Sequence, residues 1–358
     1  MKIFVAGATG ALGGRLVPML VERSHTVVGT TTTPAKVEGL RKAGATAVVL
    51  DVLDRDAVIG ALTEAEPDVV VHQATALSGF TDFRKFDEGF AATNRLRTQG
   101  TDNLLEGMRR VPVRRIVAQS YAGPGVFART GGLAKTEEDP FDPDPPAAMR
   151  RTVEAMAYLE RAILDGDGIE GTVLRYGGFY GPGTGLGEGG LQLEGVRRRR
   201  FPIVGGGAGV SSYIHIDDAA AATVMAIEEN KPGLYNIVDD EPAAVAEWLP
   251  ALADAIGAKP PGRVPVWLGR LFAGELGVVM MTESRGASNA KAKRDLGWRP
   301  SYPELENRLQ DGAGQFWSHQ GGLKTRRDGP DEDGRFEKGP MPGRGGIRWR
   351  LTDPRVSV

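Results

Sequence analysis

The sequence predicts an open, doubly wound α/β fold: a parallel sheet with helices on both faces and a smaller C-terminal lobe attached. Three observations predict it. Six short, β-branched runs, at 3–6, 26–30, 47–50, 68–72, 115–118 and 171–174, alternate with helical periodicity at 12–22, 57–65 and 98–109. Alternation of this kind makes consecutive strands parallel and joins them by crossover helices. The runs are apolar throughout rather than at every second residue, as strands covered on both faces require. Glycine, 50 of 358 residues, stands at the ends of these runs, where βα turns need it.

The first strand runs directly into Gly7-Ala8-Thr9-Gly10-Ala11-Leu12-Gly13 and then an amphipathic helix. A first glycine permits a tight turn, a second lets backbone approach a pyrophosphate, and a third lets helix and strand pack closely. Free N–H groups and the helix dipole favour phosphate at such a turn. Gly7, Thr9, Gly10, Ala11, Leu12 and Gly13 are therefore the expected dinucleotide cradle. The second strand ends in four threonines with no acid to hold a ribose 2′-hydroxyl. Thr31, Thr32 and Lys36 suit a 2′-phosphate better, which favours NADP over the alternative, NAD. Asp51 ends the third strand, where it can accept from an adenine amino group or cap the following helix. After the fourth strand come Gln73, Ala74 and Thr75, small enough to let the chain pass beside a cofactor.

Beyond residue 176 the texture changes: Gly and Pro cluster at 177–190, and Arg197–Arg200 close a helical stretch. The expected division is 1–176 for the nucleotide-binding domain, with some return of the chain near 210–240, and 177–311 for the lobe. The segment 312–358 is an expected unstructured tail, since it has few aliphatics with which to offset its ordering entropy.

Composition narrows the class. Lys+Arg is 44 and Asp+Glu 46, a net charge of −2, which argues against nucleic acid or anionic membrane as partner. Cysteine is absent, which removes disulfides and thiolate chemistry. His25, His72, His215 and His319 form no ligand-spaced pair, so no metal is expected. No apolar run of about 18 residues is present, and Met1 leads straight into the first strand without a signal-peptide pattern. The expectation is a cytoplasmic protein with a small-molecule partner and, at most, a homodimer.

Four further motifs resemble the extended or atypical short-chain dehydrogenase/reductase family, the NAD-dependent epimerase/dehydratase group. They are Asn94 with Gly100-Thr101-Asp102-Asn103-Leu104-Leu105, the run from Leu174 to Gly183, the run from Tyr213 to Ala220, and the run from Ser288 to Pro300. The resemblance implies a Rossmann fold and adds Val52, Gln119, Gly177 and Phe179 to the cofactor contacts. It also implies a catalytic Tyr-x-x-x-Lys on the helix at 151–164, where ammonium and phenol share a helix face. The equivalent positions here are Thr152 and Met156. None of the seven tyrosines has a lysine four residues on, and Lys135 is the only lysine between Lys85 and Lys231. Ser120 or Tyr121, after the fifth strand, falls where the family binds the reacting oxygen. Tyr121 is the preferred substitute acid, and Tyr176 borders the nicotinamide in the same reading. The family's asparagine is replaced by Gly178, which argues against a sugar nucleotide. Three readings stay open: an NAD(P)-dependent oxidoreductase of a small carbonyl or alcohol using a non-standard acid, a non-catalytic NAD(P)-binding regulator, and a nucleotide-sugar epimerase/dehydratase.

Overall fold

Seven parallel strands form the central sheet: β1 (Lys2–Ala6), β2 (Thr26–Thr31), β3 (Thr46–Val49), β4 (Val69–His72), β5 (Arg115–Tyr121), β6 (Glu170–Tyr176) and β7 (Gly233–Ile237). Their spatial order is 7-6-5-4-1-2-3, so the winding reverses between β1 and β4. The computed structural model describes residues 1–77 and 82–302, and the expected tail at 312–358 lies outside them. The doubly wound parallel sheet is as the strand–helix alternation predicts.

Because successive strand side chains point to opposite faces, each strand feeds two cores. Ile3, Val5, Val69, Val71, Val117, Leu174 and Tyr176 pack beneath helix α1 (Gly13–Glu22) and a later helix that begins at Ile216. Phe4, Val70, Ile116, Ala118 and Val173 point the other way. That face is covered by α2 (Arg55–Ala65), α3 (Thr101–Met108) and α4 (Arg150–Leu164). The helix starting at Ile216 is α5 (Ile216–Glu229), and it lies against α1 on the first face. The chain then re-enters the sheet as β7, beside β6.

Two features depart from the sequence reading. Asp54, not Asp51, caps α2, accepting from the Ala57 N–H at 3.1 Å, while Asp51 closes a turn by accepting from Leu53 N–H. The helical stretch expected at 98–109 begins earlier and is not uniform. It starts at Ala91, widens into a π turn over Leu96–Gly100 and continues as α3.

The remaining elements build a third core. α6 (Val245–Ala255) and the segment around Leu193 and Ile203 enclose Tyr180, Tyr213, Leu249 and Leu252. A fourth cluster unites Ala122, Val126, Phe127, Met149 and Met156 with Leu276 of α7 (Val266–Thr282).

The glycine loop shows why position matters within one motif. Gly7 has φ +89°, and a Cβ there would lie 2.6 Å from the Gln73 carbonyl oxygen at the end of β4. A Cβ on Gly13 would lie 2.4 Å from the Gly7 carbonyl oxygen, whereas one on Gly10 meets only that oxygen, at 3.5 Å. Gly13→Ala should therefore cost about 1–3 kcal/mol by overpacking. Gly10→Ala should stay within about 0.5 kcal/mol of wild type. Urea titration of the two variants checks this contrast.

Candidate active site

The loop after β1 opens at the carboxyl edge of the sheet, at the point where the winding reverses. Ligands of open α/β sheets bind at such switch points. Gly10 and Ala11 are exposed there, and among the described residues the Ala11 and Leu12 N–H groups donate to no protein acceptor. The loop is tied to β2 on its other side. Gly7 N–H donates to Thr30 Oγ1 at 3.3 Å, and the Thr9 and Thr31 hydroxyls lie 3.0 Å apart. Thr31 Oγ1 also accepts from Thr33 N–H, so its hydroxyl is engaged in holding the loop. Thr32 and Lys36 are exposed beyond the strand end. The loop thus presents open backbone donors beside a glycine with room for a ligand, which fits a dinucleotide.

Farther along the same edge, three side chains expected to act together are separated. Ser120 is buried, and its hydroxyl donates to Glu160 Oε1 at 2.7 Å. Glu160, on α4, also receives Arg175 Nε at 2.8 Å and Nη2 at 2.6 Å. The Arg175 guanidinium in turn lies 4.3 Å over the Phe141 ring. The Ser120 hydroxyl thus donates into this buried pair.

Tyr176 is likewise buried and hydrogen-bonded. Thr223 donates to the Ala219 carbonyl at 2.7 Å, so at 2.6 Å it accepts from the Tyr176 hydroxyl. Gln73 Nε2 donates to the same phenol oxygen at 3.3 Å. Burial drives the Tyr176 hydroxyl far above the usual tyrosine range.

Tyr121 alone of the three remains half-buried. Its ring folds back over Gly123, where an added Cβ would lie 1.8 Å from Cζ. Burial pushes its hydroxyl up to about 12, opposed by the charge of Arg97. At neutral pH it is a phenol, able to donate.

Thr152 and Met156 are buried on α4. Asp87 holds the start of that helix, accepting from Arg151 N–H and Thr152 N–H at 2.9 Å each and from the Thr152 hydroxyl at 2.7 Å. Asn94 Nδ2 donates to Thr152 Oγ1 at 3.0 Å, and Arg97 Nη1 reaches Asn94 Oδ1 at 3.4 Å. Arg97 is the residue that sequence reasoning passed over, although it stands three residues after Asn94 in a motif singled out there. Lys135, the only nearby lysine in sequence, is buried on Thr130 and Asp139 away from these groups.

On the lobe side, Gly178–Tyr180 pairs in parallel with Tyr213–His215. A Cβ on Gly178 would lie 2.9 Å from Tyr213 Cδ1, so an asparagine enters only if that ring moves.

Residues 3–238 match the NAD dependent epimerase/dehydratase family. The chain belongs to that family. Among curated proteins, a 3-diazoavenalumate denitrifying reductase from Streptomyces sp is 41% identical over 86% of this chain and 99% of its own length. A 2-alkyl-3-oxoalkanoate reductase from Stenotrophomonas maltophilia is 29% identical, over 72% of this chain and 76% of its own. Among solved structures, the UDP-glucose 4-epimerase of Thermus thermophilus in complex with NAD superposes with a TM-score of 0.68. It is 24% identical and covers 88% of this chain and 99% of that one.

The buried hydrogen bonds of Ser120 and His72 make a structural role for each testable. Ser120→Ala should cost about 1–3 kcal/mol of stability by leaving a buried acceptor short of a donor. Turnover per folded molecule should be unchanged, and Glu160→Ala should cost more, about 3–5 kcal/mol, by stranding Arg175. His72 is buried, with Nε2 3.2 Å from the Leu96 carbonyl, and burial lowers its imidazole from 6.5 to about 4. Between those values the unfolded chain binds a proton that the folded chain refuses. Stability should therefore fall as pH drops from about 6.5 to about 4. Thermal melts of His72→Gln across that range should show a shallower slope than wild type.

Proposed function

We propose that this protein is an NAD(P)H-dependent reductase of a small electrophilic substrate, working without the tyrosine–lysine pair of its family. One observation carries the reading: the glycine loop is open to a dinucleotide, while the pair positions of α4 are Thr152 and Met156, both buried. Gly7, Thr9, Gly10, Ala11, Leu12 and Gly13 would hold the pyrophosphate, with Thr32 and Lys36 at a 2′-phosphate and Asp51 and Val52 at the adenine. Gln73, Ala74, Thr75 and Gln119 would line the strand ends, and Gly177 and Phe179 the nicotinamide. When bound, the cofactor supplies hydride, and the chain supplies orientation and charge.

The 41% identical relative is named for denitrifying a diazo compound. An aryl diazonium group is already cationic. Its reduction replaces the carbon–nitrogen bond by carbon–hydrogen and releases N₂, leaving no alkoxide to protonate. A substrate of that kind fits a site without the family's proton donor. A carbonyl substrate is the second reading, favoured by Tyr121, which is half-buried and protonated at neutral pH. The crowding of Gly178 against Tyr213 supports a small substrate over a sugar nucleotide in either case.

NADPH and NADH oxidation should be followed with aryl diazonium salts, aldehydes, ketones and UDP-glucose. Tyr121→Phe should lower carbonyl turnover by about 10²–10⁴-fold if it donates the proton. It should change diazonium turnover less than about tenfold. Gly10→Val should remain folded and lose NADPH binding in calorimetry. Unchanged affinity in that variant would overturn the cradle, and a chain that binds NADPH but reduces neither substrate class would overturn the reductase.

A further inference from the structure

Two arginines are buried near the carboxyl edge of β5 and β6, and they are not in the same state. Arg175 has Glu160 in a two-point ion pair. Arg97 is 4% exposed and has no ion-pair partner among the described residues. Its one recorded side-chain hydrogen bond is the 3.4 Å contact to the Asn94 amide oxygen, which leaves four of its five N–H donors without a described protein acceptor. Burial lowers its guanidinium to about 10, so it is charged at neutral pH.

The carboxylate that acts on it through space, Glu160, is already held by Ser120 and Arg175, so the buried Arg97 cation is only partly compensated, which is unfavourable. Local propensity does not put it there: the π turn over Leu96–Gly100 does. Thr98 and Thr101 support that turn, Thr98 Oγ1 bonding to the Asn94 carbonyl and Thr101 Oγ1 to the Arg97 carbonyl. Such turns are concentrated at functional sites. Arg97 lies at the end of the chain Asp87–Thr152–Asn94, which occupies the family's tyrosine position, and within electrostatic reach of Tyr121.

We propose that Arg97 is the anion-binding residue of this site and that the substrate carries an oxyanion, a carboxylate or a phenolate, which the guanidinium holds beside Tyr121. The inference rests on the reductase reading only for the place of the site. It is tested by binding, so that failure of turnover and failure of anion recognition are read separately. A planar guanidinium takes such oxygens at two points, which fixes orientation as well as affinity.

Calorimetry on the NADPH-loaded full chain, with benzoate, 4-nitrophenolate and the neutral isostere benzamide, gives the measurement. Benzoate or 4-nitrophenolate should bind at least tenfold more tightly than benzamide, and the better of the two identifies the oxyanion. Arg97→Met should abolish that preference while NADPH affinity stays within about twofold of wild type. The melting temperature of Arg97→Met should be equal to or above wild type, because a buried charge with no ion-pair partner of its own has been removed. A merely structural arginine would do the reverse, lowering the melting temperature and leaving the preference intact, and that result overturns the proposal. Arg97→Lys, which keeps the charge, should retain a weakened preference for the anion; no preference in either Arg97→Lys or the wild type also overturns it.

Discussion

Glu160 is the point on which the active-site edge depends. It is the one carboxylate that joins β5, through the Ser120 hydroxyl, to β6, through Arg175, and both to α4, on which it stands. Parallel strands are held to each other by the ladder, but nothing in a ladder sets the distance to the helix above. A buried pair with three charge-assisted hydrogen bonds does so with side-chain precision. It also costs desolvation, so its geometry must be satisfied before it stabilises at all. The aromatic ring of Phe141 under Arg175 adds a face on which the guanidinium can rest.

The same ion cluster explains how this family member can lack the family's pair without losing the edge. In the usual arrangement α4 carries the chemistry. Here it carries structure: Thr152 closes a hydrogen-bond chain with Asp87 and Asn94, and Met156 packs with Met149, Val153 and Phe127. Tyr121 stands at the end of β5 and Arg97 in the π turn.

Much of the fold was legible. Glycine at the ends of uniformly apolar runs predicted parallel strands covered on both faces, and Gly7, Gly10 and Gly13 predicted a turn that the backbone distances explain one by one. The site was less legible. Ser120 and Tyr121 are neighbours in sequence, yet a strand turns adjacent side chains to opposite faces, so one residue of uncertainty separates a buried, hydrogen-bonded hydroxyl from a half-buried phenol. Tyr176 looked available because its loop lies at the site edge, but its hydroxyl is absorbed by Thr223 and Gln73. Arg97 left no periodic signal, because a π turn inserts one residue into a helix whose apolar pattern otherwise continues.

By itself the sequence determined the doubly wound sheet, the cradle loop and the absence of Tyr-x-x-x-Lys, because each is written in local order: runs, turns and i,i+4 spacing. Only the tertiary structure decided which polar groups meet. Glu160 and Ser120 are 40 residues apart, Asn94 and Thr152 are 58 apart, and Gln73 and Tyr176 are 103 apart. Whether a hydroxyl or a guanidinium serves the fold or a ligand depends on whether such a distant partner has already claimed it.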